Sequence, residues 1–132
     1  MKSIAGTWQL VRTSCVAADD GTPLPPPYGG EKAMGRVVLN EDGRMMAVLI
    51  DGRVELPHGE TREYTSYFGQ YTFDGKKLVT RVDAASEAER MGTDQIRDVR
   101  FEDGLMVLRP PLKRIAGRMG QRELFWRKIS DT

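Results

Sequence analysis

Few side chains in this 132-residue chain are suited to chemistry, and each type has a definite repertoire. Arg97 and Gln95 come first. Residues two apart on a strand share a face, so a guanidinium fork and a primary amide would point the same way. An inward Arg is unfavourable unless paired. Arg97 therefore needs a carboxylate such as Asp94, Asp98 or Glu63, backbone carbonyls, or an anionic ligand, and its fork suits a carboxylate well. Tyr67 and Tyr71 fall on one strand face, as amphipathic wall residues whose hydroxyls need partners. His58, the one histidine, sits in the turn signature Pro57-His58-Gly59, without Cys or carboxylate at metal-ligand spacing. No nucleophile-elbow motif accompanies it, so neither a metal nor serine-type hydrolysis is expected. Cys15 is alone, cannot form an intrachain disulfide, and has no neighbouring His or helix N-terminus to activate its thiolate. Trp8, Trp126 and a cation are suited to sealing one end of a fold by indole–cation attraction; Lys128 shares a face with Trp126 and Arg127 does not. The stretch 109–128 carries seven basic residues against one acidic, Glu123. That could be a phosphate-binding strip. Its aromatics, Phe125 and Trp126, are needed in a wall, so a solvated hairpin is the expectation.

These groups must be positioned by strands. Asp-Gly occurs five times, at Asp20, Asp42, Asp51, Asp74 and Asp103. Gly takes positive φ at no steric cost and Asp tolerates it, which suits turns matching strand twist. Apolar or alternating runs flank the second, fourth and fifth, the pattern of successive antiparallel hairpins. The expected strands are 6–17, 35–40, 44–51, 67–73, 77–84, 95–102, 105–109 and 122–129, with a minor one at 53–56. Short helical turns are expected at 84–91, where Ser86 and Glu89 have capping-box spacing, and at 61–66. Pro23, Pro25, Pro26 and Pro27 bar 19–30 from a central strand and suit a stiff rim loop. A meander of this length removes its sticky edges by closing on itself. The predicted fold is all-β: one closed antiparallel up-and-down barrel spanning 1–132, with about eight to ten strands and one or two short helical turns.

Alternation then assigns the lining. Trp8, Leu10, Arg12 and Ser14 share one face of the first strand, with Cys15 opposite. Val37 and Leu39, then Met45, Ala47 and Leu49, continue the wall. Tyr67, Gly69, Tyr71 and Phe73 follow, then Leu78, Thr80 and Val82, then Gln95, Arg97, Val99 and Phe101. Met106, Leu108, Leu124 and Trp126 complete the circuit. Such a lining is mainly apolar with a few fixed polar groups, as in small-molecule pockets. The expected ligand-binding residues are Arg97, Gln95, Tyr67, Tyr71, Thr80, Leu39, Met45 and Ala47. An eight-stranded barrel is wide enough either to fill with side chains or to hold one small ligand. Gly69, Ala47 and Thr80 are small, which favours a cavity.

Composition closes other routes. The chain is 39% hydrophobic and 30% charged, ordinary for a globular protein, and its net charge of +1 gives no bias toward nucleic acid or membrane. No apolar run is long enough to span a bilayer as a helix, and Met1 to Leu10 lacks the apolar core of a leader. The lone cysteine makes the cytoplasm the default compartment. The expected partner is a small molecule, without cofactor, nucleic acid or membrane; a homodimer is left open.

Gly6-Thr7-Trp8 resembles the Gly-x-Trp opening of lipocalin-like proteins. Further pieces are similar, in order, to the short bacterial lipocalin-like domain family. They are Gly35-Arg36-Val37-Val38-Leu39, Asp42-Gly43-Arg44-Met45 and Tyr67-Phe68-Gly69-Gln70-Tyr71, followed by Gly92-Thr93-Asp94-Gln95-Ile96-Arg97, the strand 105–111, and Leu124-Phe125-Trp126. The resemblance implies a closed barrel around a pocket, and small-molecule binding or a tailoring role in biosynthesis. The chain departs from the family pattern at Thr80-Arg81, where many relatives carry His, and at Trp126-Arg127-Lys128, where the family ends Trp-x-Arg. The leading expectation is binding of a small, largely apolar ligand, in its sharpest form a carboxylate-bearing one. The alternatives are a cofactor-independent isomerase or cyclase using the same pocket, and a self-associating protein with a filled barrel.

Overall fold

The computed structural model describes residues 3–132; Met1 and Lys2, part of the stretch read above for a leader, lie outside the described residues. Nine strands follow one another: β1 (Gly6–Ala17), β2 (Ala33–Leu39), β3 (Arg44–Asp51), β4 (Tyr64–Phe73), β5 (Lys77–Ala85), β6 (Asp94–Glu102), β7 (Leu105–Arg109), β8 (Lys113–Ile115) and β9 (Arg118–Ser130). Each of β1 to β6 pairs antiparallel with the next; β7 pairs with β9, and β9 returns to β1. The result is a closed eight-stranded antiparallel barrel, with β8 a short flap hydrogen-bonded to the start of β9. Among the described residues no helix is long and apolar enough to cross a membrane.

The two ends of the barrel differ because their connections differ. Asp42-Gly43, Asp74-Gly75 and Asp103-Gly104 make the tight β2–β3, β4–β5 and β6–β7 turns at one end, the floor. At the last, Asp103 and Gly104 have φ of 52° and 77°, the paired positive values that a two-residue hairpin turn requires. The long segments 18–32, 52–63, 86–93 and 110–117 all lie at the other end, the mouth.

The floor is packed. Trp8, Leu10, Leu39, Met45, Leu78, Met106 and Trp126 are buried in one cluster, with Phe73 edge-on to Phe101. Trp8 donates its indole N–H to the Ile4 carbonyl at 2.9 Å, and Lys128 Nζ sits 5.7 Å from the Trp8 ring. Lys128 takes that place because it is the residue opposite Trp8 in the β1–β9 ladder. The expected indole–cation seal is present.

Bulges correct the alternation. The β1–β9 register shifts between Leu10 and Arg12, leaving Val11 unpaired. An extra residue reverses every face beyond it. Thr13, Cys15 and Ala17 therefore point inward and are buried, whereas Arg12 and Ser14 leave the face of Trp8. Arg12 lies over the outer ring face of Phe125 at 3.7 Å. Beside it, Glu123 on β9 accepts from both Arg100 and Arg109, a network covering the buried Val107 and Phe125.

Helical expectations shrink. Residues 61–66 form no helical turn, since β4 already begins at Tyr64; of 84–91 only Ala88–Arg90 is helical. Ser86 does not cap that turn: its Oγ accepts from Ser66 N–H at 3.1 Å, so β5 stays tied to β4. The proline-rich rim instead contains a 3-10 segment, Pro27–Lys32. Residues 53–56 form no strand because the loop is organised by charge: Arg53 chelates the buried Asp51 carboxylate, and Arg62 donates to the Asp51 carbonyl at 2.6 Å.

Candidate functional site

The mouth holds a cavity of about 320 Å³ reaching down to Leu49, Leu108, Leu124 and Trp126. The barrel is therefore filled only in its lower half, and the reading of a filled interior does not hold. Above the apolar base the wall is polar, contrary to the expected greasy lining with one guanidinium. Arg97 comes from β6, Arg122 from β9 and Arg90 from the turn after β5, with Tyr28, Tyr67 and Lys113 around them.

Each cation has a different set of partners. Arg90 faces Glu87 at 3.5 Å, donates to Thr65 Oγ1 at 3.2 Å and lies 5.3 Å from the Tyr67 ring. It is held by protein alone. Arg97 donates to the Ile96 carbonyl at 3.0 Å, and Arg122 to the Pro111 carbonyl at 3.2 Å. Neither forms an ion pair among the described residues, and Arg122 Nε is buried with no hydrogen-bond partner. Burial pushes Arg97 down to about 10; the neighbouring phenols oppose this, while Arg122 and Arg90 push the same way. Arg122 is lowered as well, first by burial. A buried cation normally has a counter-charge. Here two half-buried ones share a cavity without an ion pair among the described residues.

Two phenols supply further donors. Gln95, buried behind the wall, donates from Nε2 to Tyr67 Oη at 2.8 Å. With that lone pair occupied, the phenol still has its own proton to give. Tyr28 has a left-handed backbone, φ 56° and ψ 29°, followed by Gly29 and Gly30 at positive φ. A bulky residue in that region is strained and must be held by its surroundings. The holding contacts are Tyr28 N–H to Glu63 Oε1 at 2.7 Å and Thr13 Oγ1 to the Pro27 carbonyl. Burial, reinforced by Glu63, raises the Tyr28 phenol to about 12, so it stays protonated at neutral pH.

Of the eight expected site residues, Arg97 and Tyr67 line this cavity, and Gln95 orients Tyr67. Thr80, Leu39, Met45 and Ala47 are buried in the packed part of the barrel and do not line it. Tyr71 lies toward the floor, its hydroxyl donating to the Asn40 carbonyl at 2.7 Å. Arg122 is the residue that sequence reading missed. It alternates inward with Leu124 and Trp126, so strand parity carried the signal, but the basic composition of 109–128 reads as a solvated hairpin. Tyr28 and Arg90 come from irregular segments, where no periodicity marks a face. His58 is exposed in the 52–63 loop, and Cys15 lies inward near Arg122, its thiol raised by burial.

No curated protein matches the chain. The model of the lipocalin-like domain family matches residues 5–129, nearly the whole length, over the same strands that close the barrel. By that match and by its fold, the chain belongs to the lipocalin-like domain family.

Proposed function

We propose that this protein binds a small molecule with an apolar body and an anionic head in the mouth of its barrel. Ligand binding in general accords with the lipocalin-like fold. One observation carries the finer reading: Arg97 and Arg122 share one cavity, partly buried and repelling each other, with no carboxylate paired to either among the described residues. In this reading both guanidiniums grip the head, Tyr67 and Tyr28 donate to it, and Leu49, Leu108, Leu124 and Trp126 take the body. A volume of about 320 Å³ suits a compact ligand. The lone, buried thiol fits a reducing compartment such as the cytoplasm.

Native mass spectrometry of freshly purified protein tests for a co-purifying mass lost on denaturation, and calorimetry with octanoate tests for the anion directly. The wild type is expected to bind octanoate, and Arg97→Gln and Arg122→Gln to weaken it about tenfold or more, since losing one partner of a desolvated charge contact is expensive. Equal binding by the wild type and both variants would refute the assignment. A second reading, a cofactor-independent isomerase or cyclase, is favoured by one specific feature. Protonated phenols beside guanidiniums can polarise a carbonyl as charge develops on its oxygen. Under that reading Tyr67→Phe would lower turnover more than binding.

A further inference from the structure

Resting on that reading, we infer that the head group carries two negative charges, its simplest form being a phosphate monoester, and not the single charge of a carboxylate. The inference comes from which charges on the wall are already matched. Arg90 has Glu87, which is also fixed by Thr65 and Ser86, so that corner is neutral without a ligand. Glu63 and Glu89 reach the cavity from exposed positions on the rim, and Glu63 is engaged by Tyr28 N–H. Deeper in, Arg97 and Arg122 remain, each feeling the charge of Arg90; the influences opposing this are phenols at Arg97, and Tyr28, Cys15 and then the rim carboxylate Glu63 at Arg122. With neither guanidinium in an ion pair among the described residues, the inner wall presents two unpaired positive charges. A monoanion would neutralise one and leave the other partly buried and still repelled; a dianion would match both.

The donors match as well. Arg97 and Arg122 each commit only part of their fork to a backbone carbonyl, and guanidinium groups are donors only. Tyr28 and Tyr67 add two hydroxyl protons. Three acceptor oxygens on one phosphorus could engage both forks and a phenol at once, more than the two oxygens of a carboxylate can serve.

The test compares three probes of similar tail: hexyl phosphate, hexylmalonate and heptanoate, titrated calorimetrically into the full chain between pH 5 and pH 7.5. A phosphate monoester loses its second proton near pH 6, so selection of the dianion would tighten hexyl phosphate about tenfold across that interval. Titratable groups facing the head are Glu63, Glu87, Glu89, Lys113, Tyr28, Tyr67 and Cys15, besides the three arginines. Heptanoate reports any titration of these, and its affinity change is divided out. Tighter binding of hexyl phosphate or hexylmalonate than of heptanoate supports the inference, and the better of the two dianions identifies the head geometry. Arg122→Gln should erase the preference by removing the second charge. If heptanoate binds as tightly as both dianions, or the tighter of the two dianions shows no extra pH dependence as its second proton leaves, the inference is overturned while the anion-binding reading stands. If none of the three binds, both fall.

Discussion

Arg97→Met should make the ligand-free protein more stable and weaken its affinity for anions. In the folded chain burial pushes the guanidinium down from 12.5 to about 10. Because the folded-state value lies below the unfolded one, folding disfavours the charged form. The penalty is fully present at every pH below about 10 and is relieved only as pH rises beyond it. Each tenfold displacement of that equilibrium is worth about 1.36 kcal/mol, so the buried charge opposes folding by at most about 3 kcal/mol. Methionine fills a similar volume and carries no charge, but it gives up the hydrogen bond to the Ile96 carbonyl, about 1 kcal/mol. The net expectation is a gain of about 1–2 kcal/mol, seen as a rise of about 5 °C in Tm for a domain of this size. Urea and thermal unfolding at pH 7, with and without octanoate, measure it. At one hundred times Kd a ligand stabilises the wild type by about 2.7 kcal/mol. A variant that binds tenfold more weakly should gain only about 1.4 kcal/mol at the same concentration, so its lead over the wild type should largely disappear on adding ligand. A free Arg97→Met protein less stable than wild type would refute the reasoning, because the guanidinium would then be held favourably by the protein itself.

Three further outcomes follow from other parts of the barrel. Gly69→Ala should destabilise by about 3 kcal/mol in urea unfolding, since a Cβ there would lie 1.9 Å from the Arg81 carbonyl oxygen and cannot be accommodated without moving backbone; a change below about 0.5 kcal/mol, the size usual for harmless surface substitutions, would contradict this close approach. Glu123→Gln should cost about 1–2 kcal/mol at pH 7 by weakening the charged contacts to Arg100 and Arg109. Hydrogen bonding from Arg100 holds the Glu123 carboxyl below its ordinary 4.5. Its stabilisation is therefore present above that value and fades as pH falls through the lower folded-state one, so wild type and variant should converge in acid; a gap independent of pH would exclude the carboxylate as its source. Lys128→Met should lose about 0.5–1 kcal/mol with its cation over Trp8, yet leave octanoate affinity unchanged, because the floor and the mouth are separate structures. A weakened Kd would show that they are coupled.

How far the site was legible depended on where each residue lies. Tyr67, Gln95 and Arg97 sit on unbroken runs of strand, where a period of two places a side chain from local sequence alone. The fold was legible for a related reason: Asp-Gly turns are local, and a meander of hairpins has one economical way to hide its edges. Cys15, Arg12 and Ser14 were misplaced because a bulge is a mismatch between two strands, and one strand read alone does not contain it. Tyr71, Thr80, Leu39, Met45 and Ala47 share the inward face, but that face does not say whether a residue meets the cavity: Tyr71, Leu39 and Met45 lie toward the floor, while Ala47, opposite Tyr67, and Thr80, opposite Gln95, are buried among their neighbours and do not line it.

Alternation and turn chemistry thus determined a closed antiparallel barrel and an inward guanidinium, since both follow from interactions between near neighbours in the chain. Tertiary structure alone decided that the barrel is filled below and hollow above, and that Arg122 stands beside Arg97 while Arg90 is matched by Glu87. Whether a charge is paired depends on groups from β4, β6, β9 and the mouth segments meeting across space, and no pattern within any one segment encodes that meeting.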